Sequence, residues 1–140
     1  MKLIEMAIDS VRVNPQNQKV VILKEKDGER YLPIWISDHG AESIQVCIDG
    51  LKPLRPLTHD VMLDIIHTVG FRVENVIMND LASDTHYAKI TLSNNSEIYE
   101  IDSRPSDALA LAIRASSPIY ADEDVMKKAS IVLDSDKPQQ

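Results

Sequence analysis

The chain has 140 residues, of which 44% are hydrophobic and 26% are charged, and its formal net charge at pH 7 is −7. A chain of this length and composition is typical of one globular domain with its own core. No run of apolar residues approaches the roughly 18 that a membrane span requires. The negative charge and the 4% of aromatic residues argue against tight, non-specific binding to nucleic acid. Action on nucleic acid would therefore need a local positive patch, a bridging metal or a transient encounter.

The cysteine content and the N-terminal residues favour a cytoplasmic protein with no membrane partner. Cys47 is the single cysteine, which excludes an internal disulfide and is typical of a reducing compartment. The segment Met1–Glu5 has no signal-peptide pattern, because an acid interrupts its apolar stretch. We expect residues 1–133 to form one domain and residues 134–140 to form a flexible polar tail.

The first third of the chain has the pattern of three strands. Apolar residues alternate along residues 3–13, but the phase slips, which predicts a β-bulge near Asp9 and Ser10. The apolar run at residues 20–23 is too continuous for a half-exposed strand and predicts a central one. An Asp-Gly turn then joins it to residues 31–36 as a hairpin.

Two helices are predicted in the middle of the chain. The first follows the strand at residues 31–36 and ends at Gly50, which suits a helix C-terminus. The second runs from Thr58 to Gly70, with the threonine side chain as its predicted N-terminal cap. Strands follow at residues 71–78, 86–92 and 97–101, with a loop expected at residues 79–84.

The segment 99–120 combines a strand, a polar corner and a helix rich in small residues. Pro105 suits the first turn of that helix, because the N–H it lacks would have no partner there. Ser103 or Ser106 is the predicted cap. A short helix begins near Asp122, with acids first and lysines last. We therefore predict an α+β domain with a mostly antiparallel sheet and three to four helices.

Polar side chains collect at three of these predicted helix starts. Each start combines carboxylates with an imidazole or a guanidinium group. The sets are Asp38, His39 and Glu42; then Arg55, Thr58, His59 and Asp60; then Asp102, Arg104, Ser106 and Asp107. If the three junctions converge, their side chains would line one cleft.

Such a cleft has the residue types of a metal-dependent phosphodiesterase. The predicted metal ligands, for Mg²⁺ or Mn²⁺, are Glu42, Asp102 and Asp107. Predicted catalytic groups are His59, which could move a proton, together with Asp60, Asp102 and Asp107. Predicted substrate-binding groups are Arg55, Arg104 and Ser106, since guanidinium groups pair with phosphate oxygens in a forked geometry.

A structural interpretation of the same residues stays open. Glu42, Asp60 and Asp107 would then only complement helix dipoles, and Arg104 would only pair with a neighbouring acid. His67 and His86 are expected at the surface or at an interface. The chain has no Gly-x-Ser-x-Gly motif, which argues against serine catalysis, and no glycine-rich phosphate loop.

Several segments resemble the bifunctional nuclease domain family, long catalogued as a domain of unknown function. The resemblance spans residues 3–130. It rests on residues 32–36 with Ala41 and Glu42, residues 55–60, residues 102–114 and residues 118–120. It implies an α+β domain and a nuclease function, and plant members are credited with cutting both RNA and DNA. It supplies no agreed catalytic residues, so the candidate residues above come from the three junctions.

We therefore predict a nuclease that hydrolyses phosphodiester bonds of RNA or DNA with a divalent metal, in transient contact with its substrate. The alternative is a non-catalytic interaction module, which binds a small anionic ligand or a protein partner. A homodimer is expected in either case. The acidic net charge and the lack of a catalytic motif favour the alternative.

Overall fold

The computed structural model describes residues 1–133, so the flexible tail predicted at residues 134–140 lies outside the described residues. The strands are β1 (Leu3–Val13), β2 (Lys19–Glu25), β3 (Arg30–Ile36), β4 (Arg72–Ala82), β5 (Thr85–Ser93), β6 (Ile98–Ser103), β7 (Ile119–Asp122) and β8 (Ile131–Val132). The helices are α1 (Asp38–Ile48), α2 (Thr58–Thr68), α3 (Pro105–Ala115) and α4 (Glu123–Ala129). The predicted α+β class with a mostly antiparallel sheet is confirmed.

All the described strands belong to one sheet in the order β6-β5-β4-β7-β1-β2-β3-β8. Neighbouring strands are antiparallel, except that β4 and β7 are parallel. The register of β1 against β2 shifts between Ile8 and Ser10, which confirms the predicted bulge. Strand β6 is an edge of the sheet, so one side of its backbone has no strand partner among the described residues.

The loop predicted at residues 79–84 is wrong. Strand β4 continues to Ala82, and Asp80 still pairs with Tyr87 of β5. The turn is only Ser83 and Asp84, both with positive φ, at 51° and 63°. Two consecutive residues of positive φ are typical of a tight hairpin turn, although Asn-Gly or Asp-Gly is its usual sequence.

Helix α3 is the centre of the core. Every residue from Ala108 to Ala112 is fully buried, and their small side chains let the helix lie close to the sheet. The helix contacts β4 and β5 near one end of the strand order and β3 near the other end. The sheet therefore curves around α3, and its inner face supplies buried residues such as Leu23, Leu32 and Met78.

Helices α1 and α2 pack beside α3, and one contact with α3 is unusually close. A Cβ atom added at Gly40 of α1 would lie 2.6 Å from the Cβ of Ser106, inside any real contact distance. Glycine at this position therefore sets the distance between α1 and α3. Ser106 is 5% exposed and lies against Gly40.

The predicted caps of α2 and α3 are wrong. The cap residue of α2 is Leu57, and the Asp60 carboxylate accepts a hydrogen bond from its N–H at 2.8 Å, so Thr58 is already helical. The cap residue of α3 is Arg104, without a side-chain cap bond, and Ser103 donates to the Arg104 carbonyl instead. Pro105 does occupy the first turn of α3, as predicted.

The ends of α1 and α2 follow the sequence prediction. Gly50 and Gly70 have φ values of +67° and +89°, in the left-handed region that glycine tolerates best. None of the helices within residues 1–133 is both long enough and apolar enough to cross a bilayer.

Candidate active site

The three strand-to-helix and loop-to-helix junctions border a cleft of about 1090 Å³, which we call the junction cleft. Helices α1 and α2 form one wall, and β5, β6 and the start of α3 form the other. Its polar lining residues include His39, Glu42, Ser43, Thr58, His59, His86, Asp102, Ser103, Arg104 and Asp107. Its apolar lining residues include Leu57, Met62, Ile90 and Ile101.

A chain of hydrogen bonds crosses the floor of the junction cleft and links three helices. Ser43 of α1 places its Oγ 2.6 Å from Nδ1 of His59, which lies on α2. The other ring nitrogen of His59, Nε2, lies 2.9 Å from Oδ1 of Asp107 on α3. Ser43 and His59 are each 8% exposed. We call these three residues the triad.

The charge of Asp107 fixes the direction of its hydrogen bond with His59. Burial would raise the pKa of Asp107, but the hydrogen bonds from His59 and Arg104 outweigh it, and the pKa is lowered. The carboxylate is therefore ionised at neutral pH and can only accept hydrogen bonds. Nε2 of His59 must then carry a proton, and in the ring form with only this proton Nδ1 accepts a hydrogen bond from the Ser43 hydroxyl.

Arg104 stands at the rim of the junction cleft beside the triad. Its Nε donates to Oδ2 of Asp107 at 3.0 Å, while 75% of its side chain is exposed. Asp107 thus holds the guanidinium group at the cleft without burying it. The terminal nitrogens of Arg104 remain available to an anion, in the forked geometry that suits phosphate oxygens.

The predicted metal ligands border the junction cleft, but within residues 1–133 they are not grouped around a common point. Glu42 is exposed on α1, and both oxygens of Asp107 already accept hydrogen bonds. Asp102 pairs with Lys89 across β5 and β6, so alternation along the strand directs its side chain away from the buried Ala88. Within residues 1–133, no three His, Cys, Asp or Glu side chains are placed to hold a metal ion.

Asp60 does not line the junction cleft. Its Oδ1 accepts a hydrogen bond at 2.6 Å from Nε of Arg114, and Arg114 is only 5% exposed. Burial would raise the pKa of Asp60, but the Leu57 N–H and Arg114 outweigh it, and the pKa is lowered. The carboxylate predicted to be catalytic therefore neutralises a buried arginine.

Two of the predicted substrate-binding residues also lie outside the cleft lining. Arg55 is exposed in the segment between α1 and α2, and Ser106 is buried against Gly40. Arg104 alone of the three predicted substrate-binding residues is in the lining. The junction cleft thus brings together Glu42, His59, Arg104 and Asp107 of the predicted set, and it is bordered by Asp102, whose side chain is directed to the other face of the sheet.

The sequence prediction did not include Ser43 or His86 among the site residues, although both line the junction cleft. Ser43 lies within α1, away from any serine motif, and only its contact with His59 distinguishes it. His86 was expected at the surface or at an interface. Its Nδ1 is buried, and among the described residues this atom has no hydrogen-bond partner. Burial lowers the pKa of His86, so its imidazole is neutral at pH 7. The sequence did carry a signal for the burial of His86, because it alternates along β5 with Ala88 and Ile90, which are both buried.

Comparison with known proteins agrees with the resemblance seen in the sequence. Residues 21–134 match the Bifunctional nuclease domain family. A Mycobacterium tuberculosis protein, itself named uncharacterized, is 37% identical over 137 residues, which is 97% of this chain and 82% of that protein. Bifunctional nuclease 1 of Arabidopsis thaliana is 27% identical over 107 residues, or 74% of this chain. Bifunctional nuclease 1 of Oryza sativa subsp. indica is 25% identical over 109 residues, or 75% of this chain. This chain covers 33% of each plant protein. The family match and the 37% identity together show that the chain belongs to the bifunctional nuclease domain family.

Proposed function

We propose that this protein hydrolyses phosphodiester bonds of RNA or DNA in the junction cleft, through transient contact with its substrate. The observation that carries the proposal is a histidine bonded on both ring nitrogens inside an open cleft, in a member of a nuclease family. A base oriented by a carboxylate is the usual arrangement for proton transfer in hydrolysis.

His59 is the proton-transfer group in this proposal. Its bond to the Asp107 carboxylate holds the ring in one orientation and stabilises the imidazolium that forms when Nδ1 takes up a proton. Arg104 anchors a phosphate at the rim, where its exposed guanidinium group offsets the acidic charge of the molecule. Positioned groups of this kind contribute about 10²- to 10⁴-fold to a rate.

Mg²⁺ or Mn²⁺ enters the proposal only as a condition of the assay. The carboxylates of the junction cleft fit a resident metal poorly. Each oxygen of Asp107 already accepts a hydrogen bond, and the Asp102 side chain faces away from the core. No step of the proposed hydrolysis is assigned to an ion. Cleavage measured with each metal and with a chelator decides whether the reaction uses one.

The experiment is the cleavage of end-labelled single-stranded RNA and DNA by the purified protein, with magnesium, manganese or a chelator present. We expect wild-type protein to cleave at least one of these substrates. His59→Gln should slow cleavage by about 10²-fold or more, since it removes the proton acceptor. Arg104→Gln should weaken substrate binding, visible mainly as a higher KM, because a phosphate contact is lost.

Arg72 provides a matched control for Arg104. Its Nε also donates to a carboxylate, Oε1 of Glu74, at 2.9 Å, and 57% of its side chain is exposed, but it lies outside the junction cleft. Arg72→Gln should therefore leave KM unchanged. Intact RNA and DNA under every metal condition, or equal KM values for the two arginine variants, would contradict the proposal.

Exposed apolar side chains favour a second candidate function, a homodimeric interaction module. Val61, Ile65 and Val69 form an exposed stripe on and just beyond α2, and Tyr99 and Ile101 are exposed on β6. Phe71, just after α2, contacts Tyr99 at 5.6 Å between ring centroids, so the stripe and the edge strand are neighbours. We propose a second copy of this chain as the occupant, because an edge strand can pair with itself across a two-fold axis.

Light scattering after gel filtration tests this second candidate. Wild-type protein should have the mass of a dimer, and Ile65→Asp should have the mass of a monomer, because an acid in an apolar interface is costly. Lys52→Asp, which changes an exposed residue outside the stripe, should remain dimeric. A monomeric wild-type protein would exclude this candidate.

A further inference from the structure

Ser43 has the surroundings of an activated serine rather than of an ordinary buried hydroxyl. Its Oγ lies 2.6 Å from Nδ1 of His59, and Asp107 holds the opposite side of the ring. A nucleophile within hydrogen-bond reach of a base, with a third group orienting that base, is the geometric signature of nucleophilic catalysis. Here the serine faces Nδ1 and the carboxylate faces Nε2, the reverse of serine proteases.

The proton arrangement of the triad also suits this role. The ionised Asp107 requires a proton on Nε2, and in the ring form with only this proton the lone pair of Nδ1 is directed at the Ser43 hydroxyl. The hydroxyl proton is therefore already shared with the group that would accept it. Ser43 is 8% exposed and belongs to the lining of the junction cleft, the space in which the proposed substrate binds.

Another buried serine shows that this arrangement is not general in the molecule. Ser93 is 2% exposed and donates to Oε1 of Glu74 at 2.6 Å, a bond as short as that of Ser43. Its partner is a carboxylate that also accepts a hydrogen bond from Arg72, and these two bonds lower the pKa of Glu74, which makes it a poor acceptor for the hydroxyl proton. Ser93 thus provides an internal comparison for Ser43.

We propose that Ser43 is the nucleophile of the junction cleft and forms a covalent intermediate with a phosphodiester substrate, in which Oγ replaces the leaving oxygen on phosphorus. The substrate class in this inference rests on the proposed nuclease function. The assignment of Ser43 as the nucleophile rests on the geometry of the triad, so it also applies to phosphoryl esters other than nucleic acid.

The proposed hydrolysis through Ser43 needs no reagent other than water. Oγ of Ser43 attacks phosphorus while its proton moves to Nδ1 of His59, and the bond from phosphorus to the leaving oxygen breaks. His59 returns that proton to the leaving oxygen. A water molecule then attacks phosphorus and gives a proton to Nδ1, the bond from phosphorus to Oγ breaks, and Ser43 recovers the proton. Arg104, bonded to Asp107 beside the triad, neutralises the phosphoryl charge.

The test is covalent labelling of the full chain with diisopropyl fluorophosphate, followed by mass spectrometry of peptides. The probe transfers its phosphoryl group to an activated serine and releases fluoride, so it reports on the nucleophile without any nucleic acid. We expect one adduct, on Ser43. Labelling of His59→Ala should be slower than that of wild type by about 10²-fold or more, and added imidazole should restore part of the lost labelling rate.

Two variants complete the test. Ser43→Ala should lose the adduct, and Ser93→Ala, which removes the other buried serine with a short bond, should label like wild type. If Ser43→Ala does not fold, the position of the adduct in wild-type protein and the imidazole rescue still carry the test. Folded wild-type protein without an adduct on Ser43, or labelled equally fast in His59→Ala, would overturn the inference.

The outcome separates this inference from the proposed nuclease function. An adduct on Ser43 without cleavage of RNA or DNA upholds the nucleophile and directs the search to other phosphoryl esters. Cleavage without an adduct, retained in Ser43→Ala, overturns the nucleophile and leaves the nuclease function standing.

Discussion

Replacement of Asp107 by asparagine separates the chemical role of the triad from its contribution to stability. In the wild-type protein, Nε2 of His59 lies 2.9 Å from Oδ1 of Asp107. The asparagine side chain keeps one oxygen that can accept this hydrogen bond, so the ring can stay in place. The other oxygen becomes an amide group that faces Nε of Arg104, which is also a donor. Arg104 is 75% exposed and can turn into solvent, so this repulsion costs little.

The loss of stability follows from the two interactions that the carboxylate makes. Exchange of a charged acceptor for a neutral one at His59 costs about 1 kcal/mol. Loss of a negative charge in the first turn of α3 costs about 0.3–1 kcal/mol. We therefore expect Asp107→Asn to lower the free energy of unfolding by about 1–2 kcal/mol. In urea this lowers the midpoint by about 0.5–1 M.

The difference in stability between wild type and Asp107→Asn should depend on pH. The pKa of Asp107 is lowered in the folded protein, so its charge stabilises the fold above the unfolded pKa of about 3.9. This contribution is lost as the pH falls through the lower folded value. Urea unfolding should therefore show a constant difference between pH about 7 and 5, and the difference should close below pH about 4.

Activity distinguishes a chemical role of Asp107 from a purely structural one, because a purely structural residue would not change the rate of the folded protein. We expect Asp107→Asn to slow cleavage, and labelling of Ser43, by about 10²- to 10⁴-fold at temperatures where it is fully folded. Glu74→Gln is the matched control, because Glu74 also accepts from a serine and an arginine, outside the junction cleft. An Asp107→Asn protein with less than a tenfold loss of activity would refute the assignment of the triad.

Two further predictions concern the frame that holds the junction cleft. Gly40→Ala should destabilise the protein by about 1–2 kcal/mol, because overpacking against Ser106 exceeds the gain in helix propensity. Ser106→Gly should restore most of that loss in the double variant, and a stabilised Gly40→Ala would show that α1 and α3 are less close. Asp60→Ala should cost about 3 kcal/mol in urea unfolding, because it leaves Arg114 buried and unpaired. Adding Arg114→Met to Asp60→Ala should recover much of it, and a folded Asp60→Ala with wild-type stability would contradict the pairing.

Local patterns in the sequence predicted most of the fold. Alternation, the phase slip near Ser10 and the glycines at residues 50 and 70 each depend on neighbours in the chain, and each matches the structure. The parallel pairing of β4 and β7 was not predictable in this way, because it joins Val76 to Ile119 across 43 positions. The two-residue turn at Ser83 was missed because its residues are not the usual ones for positive φ.

The candidate site was predictable in its location but not in its pairing. Helix starts rich in acids and cations border the junction cleft, and His59, Arg104 and Asp107 are among its residues. Asp60 has the same local signals as Asp107, yet it pairs with Arg114, which is 54 positions away. Ser43 has no local signal at all, since its role depends on where α2 places His59.

The most direct test of the active-site assignment is the rate at which two identically prepared proteins, wild type and His59→Ala, cleave a single-stranded RNA. Identical preparation matters because a contaminating nuclease would act equally in both samples. We predict cleavage by the wild-type protein and a rate lower by about 10²-fold or more in the folded variant. Equal rates in the two samples, or no cleavage by the wild-type protein of RNA or of the corresponding DNA, would contradict the assignment.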